Sequence, residues 1–109
     1  MPQVRWEDLK EIRLSNSARA RVLKTENVMA CRITAPKGVV TATHTHPFDQ
    51  ITHILRGKMR FHVAEEAYRV AEQGDVLVVP AGTPHGGEVL EEAEYIDFFS
   101  ALNPMFSED

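Results

Sequence analysis

One cysteine in 109 residues leaves Cys31 without a partner in the chain, so the disulfide framework of small secreted domains is excluded. Long apolar runs are missing as well. The longest, such as Val76-Leu77-Val78-Val79, are strand-sized and far short of the ~20 residues a membrane span needs. Residues Met1 to Asp8 contain no apolar run of the secretory kind. Basic residues are few and scattered, 12 Lys and Arg against 16 Asp and Glu for a formal net charge of −4, which argues against a nucleic-acid footprint. These absences lead us to expect a cytoplasmic protein with neither membrane nor nucleic-acid partners.

What is present is an ordinary globular composition, 43% hydrophobic and 26% charged, with room for one core. A short arm is expected over about 1–19, with Trp6 to Ile12 an extended segment or a turn of helix. A β-domain over about 20–100 and a C-terminal tail over 101–109 complete a single domain, 1–109. Within 20–100, strand-like runs alternate with breaks at Pro36-Lys37-Gly38, Gly57, Glu65-Glu66, Gly74-Asp75 and Glu91-Glu92. Short strands at this spacing, without helical periodicity, predict an all-β sandwich or small barrel. Alternation places Met59, Phe61 and Val63 on one face and His62 on the other, toward solvent. By the same rule Ile51, His53 and Leu55 point outward while even-numbered residues follow Gln50 inward. An apolar outward face is usually covered, so a sheet-to-sheet homodimer is expected, with His53 in or beside the interface.

Four polar residues stand among well-spaced glycines and prolines: His44, His46, Gln50 and His85. Histidines at i and i+2 of a strand share a face and make a two-point chelate. Gln50 follows Pro47-Phe48-Asp49, a segment suited to a bend that returns its side chain to the same pocket. His85 follows Gly74, Pro80 and Gly82, where Gly82 is expected to supply a positive φ and Pro80 to end a strand. Three imidazoles and an amide oxygen are all neutral, leaving the charge of a divalent transition ion to act on water or substrate. Nickel, zinc, iron, manganese and copper all suit such a set. The alternative is a hydrogen-bonded cluster without metal. Tyr95, Asp97 and Phe99 share a strand face, and Asp97 among aromatics is a candidate general acid or base, its pKa raised by desolvation and lowered by a nearby metal. Phe48 and Phe99 are candidates for shaping a substrate cavity, and Cys31, in phase with Met29 and Ile33, is expected to be a small buried hydrophobe.

These two blocks resemble the signature motifs of the cupin superfamily, glycine-spaced His-x-His with a later acidic or amide ligand, followed by glycine, proline, glycine and histidine. Gln50 stands in place of the usual glutamate and Val89 in place of a frequent closing asparagine. A narrower similarity to the KdgF-like small cupins rests on His44 to Thr52, Pro84-His85-Gly86, Trp6-Glu7-Asp8-Leu9 and Asp97-Phe98-Phe99-Ser100. The resemblance implies a cupin-type double-stranded β-helix, or jelly-roll barrel, and a metal-dependent enzyme converting 4,5-unsaturated uronates to ring-opened keto products. It assigns function to Asp97 and Phe99. The arginine that such enzymes carry a few residues later is replaced by Asn103, which removes the usual partner of a substrate carboxylate.

Three functions are compatible with these residues. The first is a lyase or isomerase acting on a sugar acid or related carbonyl compound, needing metal but no oxygen. The second is a non-haem dioxygenase, weakened by the absence of a carboxylate ligand at position 50. The third is a non-catalytic small-molecule binder.

Overall fold

The computed structural model of the protein describes residues 3–106, so the last three residues of the expected tail lie outside the described residues. A 3-10 turn at Trp6–Asp8 leads into eight strands: β1 (Glu11–Arg13), β2 (Arg19–Lys24), β3 (Met29–Ala35), β4 (Val40–His44), β5 (Gln50–Val63), β6 (Arg69–Glu72), β7 (Val76–Val79) and β8 (His85–Phe99). A second 3-10 turn covers Pro104–Phe106. All strand pairing is antiparallel. Part of the expected arm is therefore sheet, since Glu11–Arg13 pair with Arg19–Arg21.

The two long strands organise everything. β5 and β8 pair along nearly their whole length. On its other edge β8 takes β3 against Ala93–Phe99 and β4 against His85–Glu88, while β5 takes β7 against Gln50–His53 and β6 against Lys58–Phe61. Two strands can share one edge of another only in succession, and the bend between them turns one sheet into two facing layers, as in a jelly roll.

The bend falls where breaks between strands were expected. Gly57 does not separate two strands but lies inside β5, with φ +86° and register shifts on both sides of it. A Cβ at Gly57 would come within 2.2 Å of the Glu92 carbonyl oxygen, so only glycine permits this close crossing. Opposite it, Glu91 to Glu94 continue β8 instead of forming a solvated turn, and Glu92 and Glu94 pair with Arg56 and Arg32.

Strand alternation sorts the faces. Met29, Cys31, Ile33 and Ala35 of β3, Thr52 and Ile54 of β5, and Ala93, Tyr95, Asp97 and Phe99 of β8 are all buried. In register they form cross-strand rows, Met29–Phe99–Gln50, Cys31–Asp97–Thr52 and Ile33–Tyr95–Ile54. Fully buried Ile33, Ile54 and Val89 each contribute about 1.5–3 kcal/mol by burial. Cys31 is the small buried group expected, its thiol pushed up by desolvation and by the Asp97 charge.

Candidate metal centre

His44 ends β4, His46 lies in the following loop, Gln50 begins β5 and His85 begins β8. The i, i+2 chelate is thus not made within a strand, because β4 stops at His44. The loop does the work instead. The Gly82 amide donates to the His46 carbonyl at 2.8 Å, with Gly82 at φ +76°. The Asp49 side chain accepts from the Ala81 amide at 2.8 Å, and the Asp49 amide donates to Ser100 Oγ at 2.9 Å. These bonds tie the loop carrying His46 to the turn before His85 and to the end of β8. One ring nitrogen from each of His44, His46 and His85 lies within 4.8 Å of the other two.

The protonation pattern follows from donor and acceptor chemistry. The Nδ1 atoms of His44, His46 and His85 each lie 2.9 Å from a backbone carbonyl, those of Ala42, Phe48 and Thr83. A carbonyl only accepts, so each Nδ1 carries the proton and each neutral ring presents an Nε2 lone pair to the common centre. Nε2 of His85 is buried with no hydrogen-bond partner, an orphan whose natural occupant is a cation. Burial, foremost, lowers the His85 pKa, with the bond to Thr83 opposing it and His44, His46 and His62 adding to it, a direction that favours the neutral form a metal needs.

Gln50 turns its oxygen toward His46 of this cluster. Gln50 Nε2 lies 2.9 Å from Thr52 Oγ1, and the Thr52 hydroxyl donates to the Asp97 carboxylate at 2.5 Å. Because a carboxylate accepts only, Thr52 spends its proton on Asp97 and must accept from the Gln50 amide nitrogen. The amide oxygen then faces His46 Nε2 at 3.0 Å. That contact is satisfied either by a proton on Nε2 of a doubly protonated His46 or by a cation shared between the two atoms. Three Nε2 atoms and an amide oxygen therefore fit a divalent transition metal ion.

Asp97 is buried, and desolvation raises its pKa from 3.8 to about 7, with the Thr52 hydrogen bond and His46 opposing. It lines a cavity of about 100 Å³ together with His44, Gln50, His85, Tyr95 and Phe99. Phe48 takes a different place: its ring stacks on that of His46 at 4.3 Å and 6°, while Phe99 meets both edge-on at 5.7–5.9 Å. His62 is half-buried at the cavity, its Nε2 2.9 Å from Thr43 Oγ1, and is not part of the cluster. Sequence reasoning missed Thr52 and Tyr95 as site residues, although the alternation that carries Gln50 and Asp97 inward also carries them.

The cupin-domain family model matches residues 32–99, which include all four candidate ligands and Asp97. The chain belongs to the cupin family. This cupin is similar in structure to KdgF from Halomonas sp., with TM-score 0.81 and 26% identity over 89% of this chain and 90% of that one. An RmlC-like cupin from Shewanella frigidimarina shares the fold with TM-score 0.85, at 24% identity over 93% and 91% of the two chains. In sequence this chain is 33% identical over 64 residues to acireductone dioxygenase from Cronobacter sakazakii, a match covering 56% of this chain and 36% of that protein. The match thus spans about a third of that curated relative. No helix among the described residues is long and apolar enough to cross a membrane.

Proposed function

We propose that this cupin is a metal-dependent lyase or isomerase that moves a proton on a small sugar-acid or carbonyl substrate. The observation that carries the reading is the continuous connection from the histidine cluster through Gln50 and Thr52 to Asp97 at the cavity wall. His44, His46, Gln50 and His85 would hold one transition metal ion. Bound there, the ion supplies Lewis acidity toward substrate oxygen, which makes a neighbouring C–H more acidic.

The protein's own residues do the rest. Asp97, whose carboxyl titrates near neutrality, accepts the proton from the substrate carbon and returns it at a second position. Thr52 holds one carboxylate oxygen and so fixes its direction. Phe48 and Phe99 brace the His46 ring, and Phe99 and Tyr95 form the cavity wall beside Asp97. The structural likeness to KdgF supports this reading.

The test is metal-loaded protein incubated in D₂O, without oxygen, with unsaturated uronates and α-hydroxyketones. Deuterium entering the carbon beside the carbonyl, and absent with Asp97→Asn at unchanged metal content, is the expected result. A second reading, a dioxygenase, is favoured by the similarity to acireductone dioxygenase and requires that turnover consume oxygen. Reaction only in air would replace the first reading by the second.

We also propose that a second copy covers the outer sheet face. Val78, Ile51 and Phe98 lie side by side in register, are 62%, 45% and 41% exposed, and adjoin His53. Light scattering should give a dimer that Ile51→Asp converts to monomer. Lone Cys31, buried, suits the reducing cytoplasm in which we place the protein.

A further inference from the structure

The cavity lining is of two chemical kinds. One is polar and includes His44, His85, Gln50 and Asp97. The other is apolar: Met59 and Phe61 of β5, Leu77 of β7, and Met105 and Phe106 of the last 3-10 turn. Among the described residues, no lysine or arginine lines any part of the cavity. The charged side chains that do are Asp97 and Glu88, both acidic.

Arg32 of β3 and Arg60 of β5 are committed to carboxylates. Arg60 contacts Glu88 at 3.4 Å and lies over the Tyr68 ring at 4.7 Å, and Arg32 holds Glu94 at 2.6 Å. Asn103 is buried, and its side-chain oxygen accepts from the Met105 amide at 3.0 Å, which fixes the turn that seats Met105 and Phe106. The residue standing where a guanidinium would be expected thus builds the apolar wall.

A substrate carboxylate against this apolar lining would lose its water to methionine and phenylalanine and find no lysine or arginine among the lining residues. Only a metal ion held by the histidines could compensate a negative charge there. Resting on the proposed metal-dependent reaction, we infer that the substrate joins a chelating pair of oxygens to an uncharged, largely apolar remainder. The class is that of hydroxyketones, diketones and their enols bearing short alkyl or aryl groups. A uronate, which carries hydroxyls and a carboxylate around its ring, does not belong to it.

A matched pair of probes separates the possibilities. 5-Hydroxy-2-methyl-4-pyranone chelates through its hydroxyl and carbonyl oxygens and points a methyl group away from them. The same ring with a carboxylate in place of that methyl keeps the head and charges the tail. With protein loaded with cobalt(II), binding is read from the visible spectrum of the ion. The expected result is that the methyl compound binds roughly tenfold or more tightly than the carboxylate. Met105→Arg, at a 43% exposed position on the cavity wall, should narrow or reverse that preference without loss of metal.

Equal or tighter binding of the carboxylate by the wild type would overturn the inference, as would failure of both probes on fully loaded protein. Protein that takes up no cobalt, nickel, iron or zinc would instead remove the metal-dependent reaction on which the inference rests.

Discussion

The polar and apolar parts of the cavity lining differ in how they are assembled. The polar part comes from two short stretches, residues 44–50 and 85, plus one face of β8. Its order lies in hydrogen bonds from side chain to backbone that reach two residues away, Nδ1 of His44 to Ala42, of His46 to Phe48 and of His85 to Thr83. The apolar part draws on β5 beyond its bulge, on β7, and on a turn after the last strand. The first is a local motif twice over, and the second is assembled only by the fold.

The sharpest way to break this division is to remove a ligand. His46→Ala or His85→Ala should abolish metal binding while far-ultraviolet dichroism stays that of a β protein, because neither side chain anchors the core. Elemental analysis after gel filtration decides it. Unaltered metal content in both variants would place the ion elsewhere.

Legibility in the sequence follows the same division. The strand set, the inward faces of β5 and β8, and the four-residue cluster could be read because each rests on period-two alternation or on fixed short spacing. Thr52 was reachable by that rule, two residues from Gln50, yet it carries no metal-binding chemistry of its own to attract notice. Gly57 was misread as a break since glycine marks turns and bulges alike, and only the close crossing with Glu92 distinguishes them. Met105 and Phe106 sit in what looked like a tail. Their place on the cavity wall depends on Asn103 capping a turn, which no periodicity encodes.

Thr52→Val tests the connection between metal and acid. The substitution keeps shape and deletes the hydroxyl, so the Gln50 amide loses its acceptor and Asp97 its donor. Metal affinity should fall roughly 10–100-fold, and stability by about 1–3 kcal/mol. Thr52→Ser should restore affinity, measured by competition with a chelating dye. An affinity equal to wild type in the valine variant would show that Gln50 is oriented without Thr52.

Asp97 makes a pH-dependent prediction in metal-free protein. Its folded pKa, about 7, lies above the ordinary value of 3.8. Between those values the folded state binds the extra proton, so stability declines as pH rises through that window and levels off above it. The full effect is a few kcal/mol. Asp97→Asn should flatten this decline and melt higher than wild type at pH 8, with little difference at pH 4. Parallel melting curves for the two proteins across that range would mean that the carboxyl is not held in a desolvated place.

The smallest effect is expected at His62, which stands at the same cavity yet differs from His85 in one respect. Both its nitrogens are occupied: Nδ1 donates to the Ala64 carbonyl at 3.2 Å, and Nε2 accepts from the Thr43 hydroxyl at 2.9 Å. His85 has its Nδ1 satisfied and its Nε2 orphaned. If an unpartnered inward lone pair is what makes a ligand here, His62→Ala should leave metal stoichiometry and affinity unchanged and alter stability by no more than about 0.5 kcal/mol. A large loss of metal in this variant would mean that proximity to the cavity, and not the free Nε2, selects the ligands.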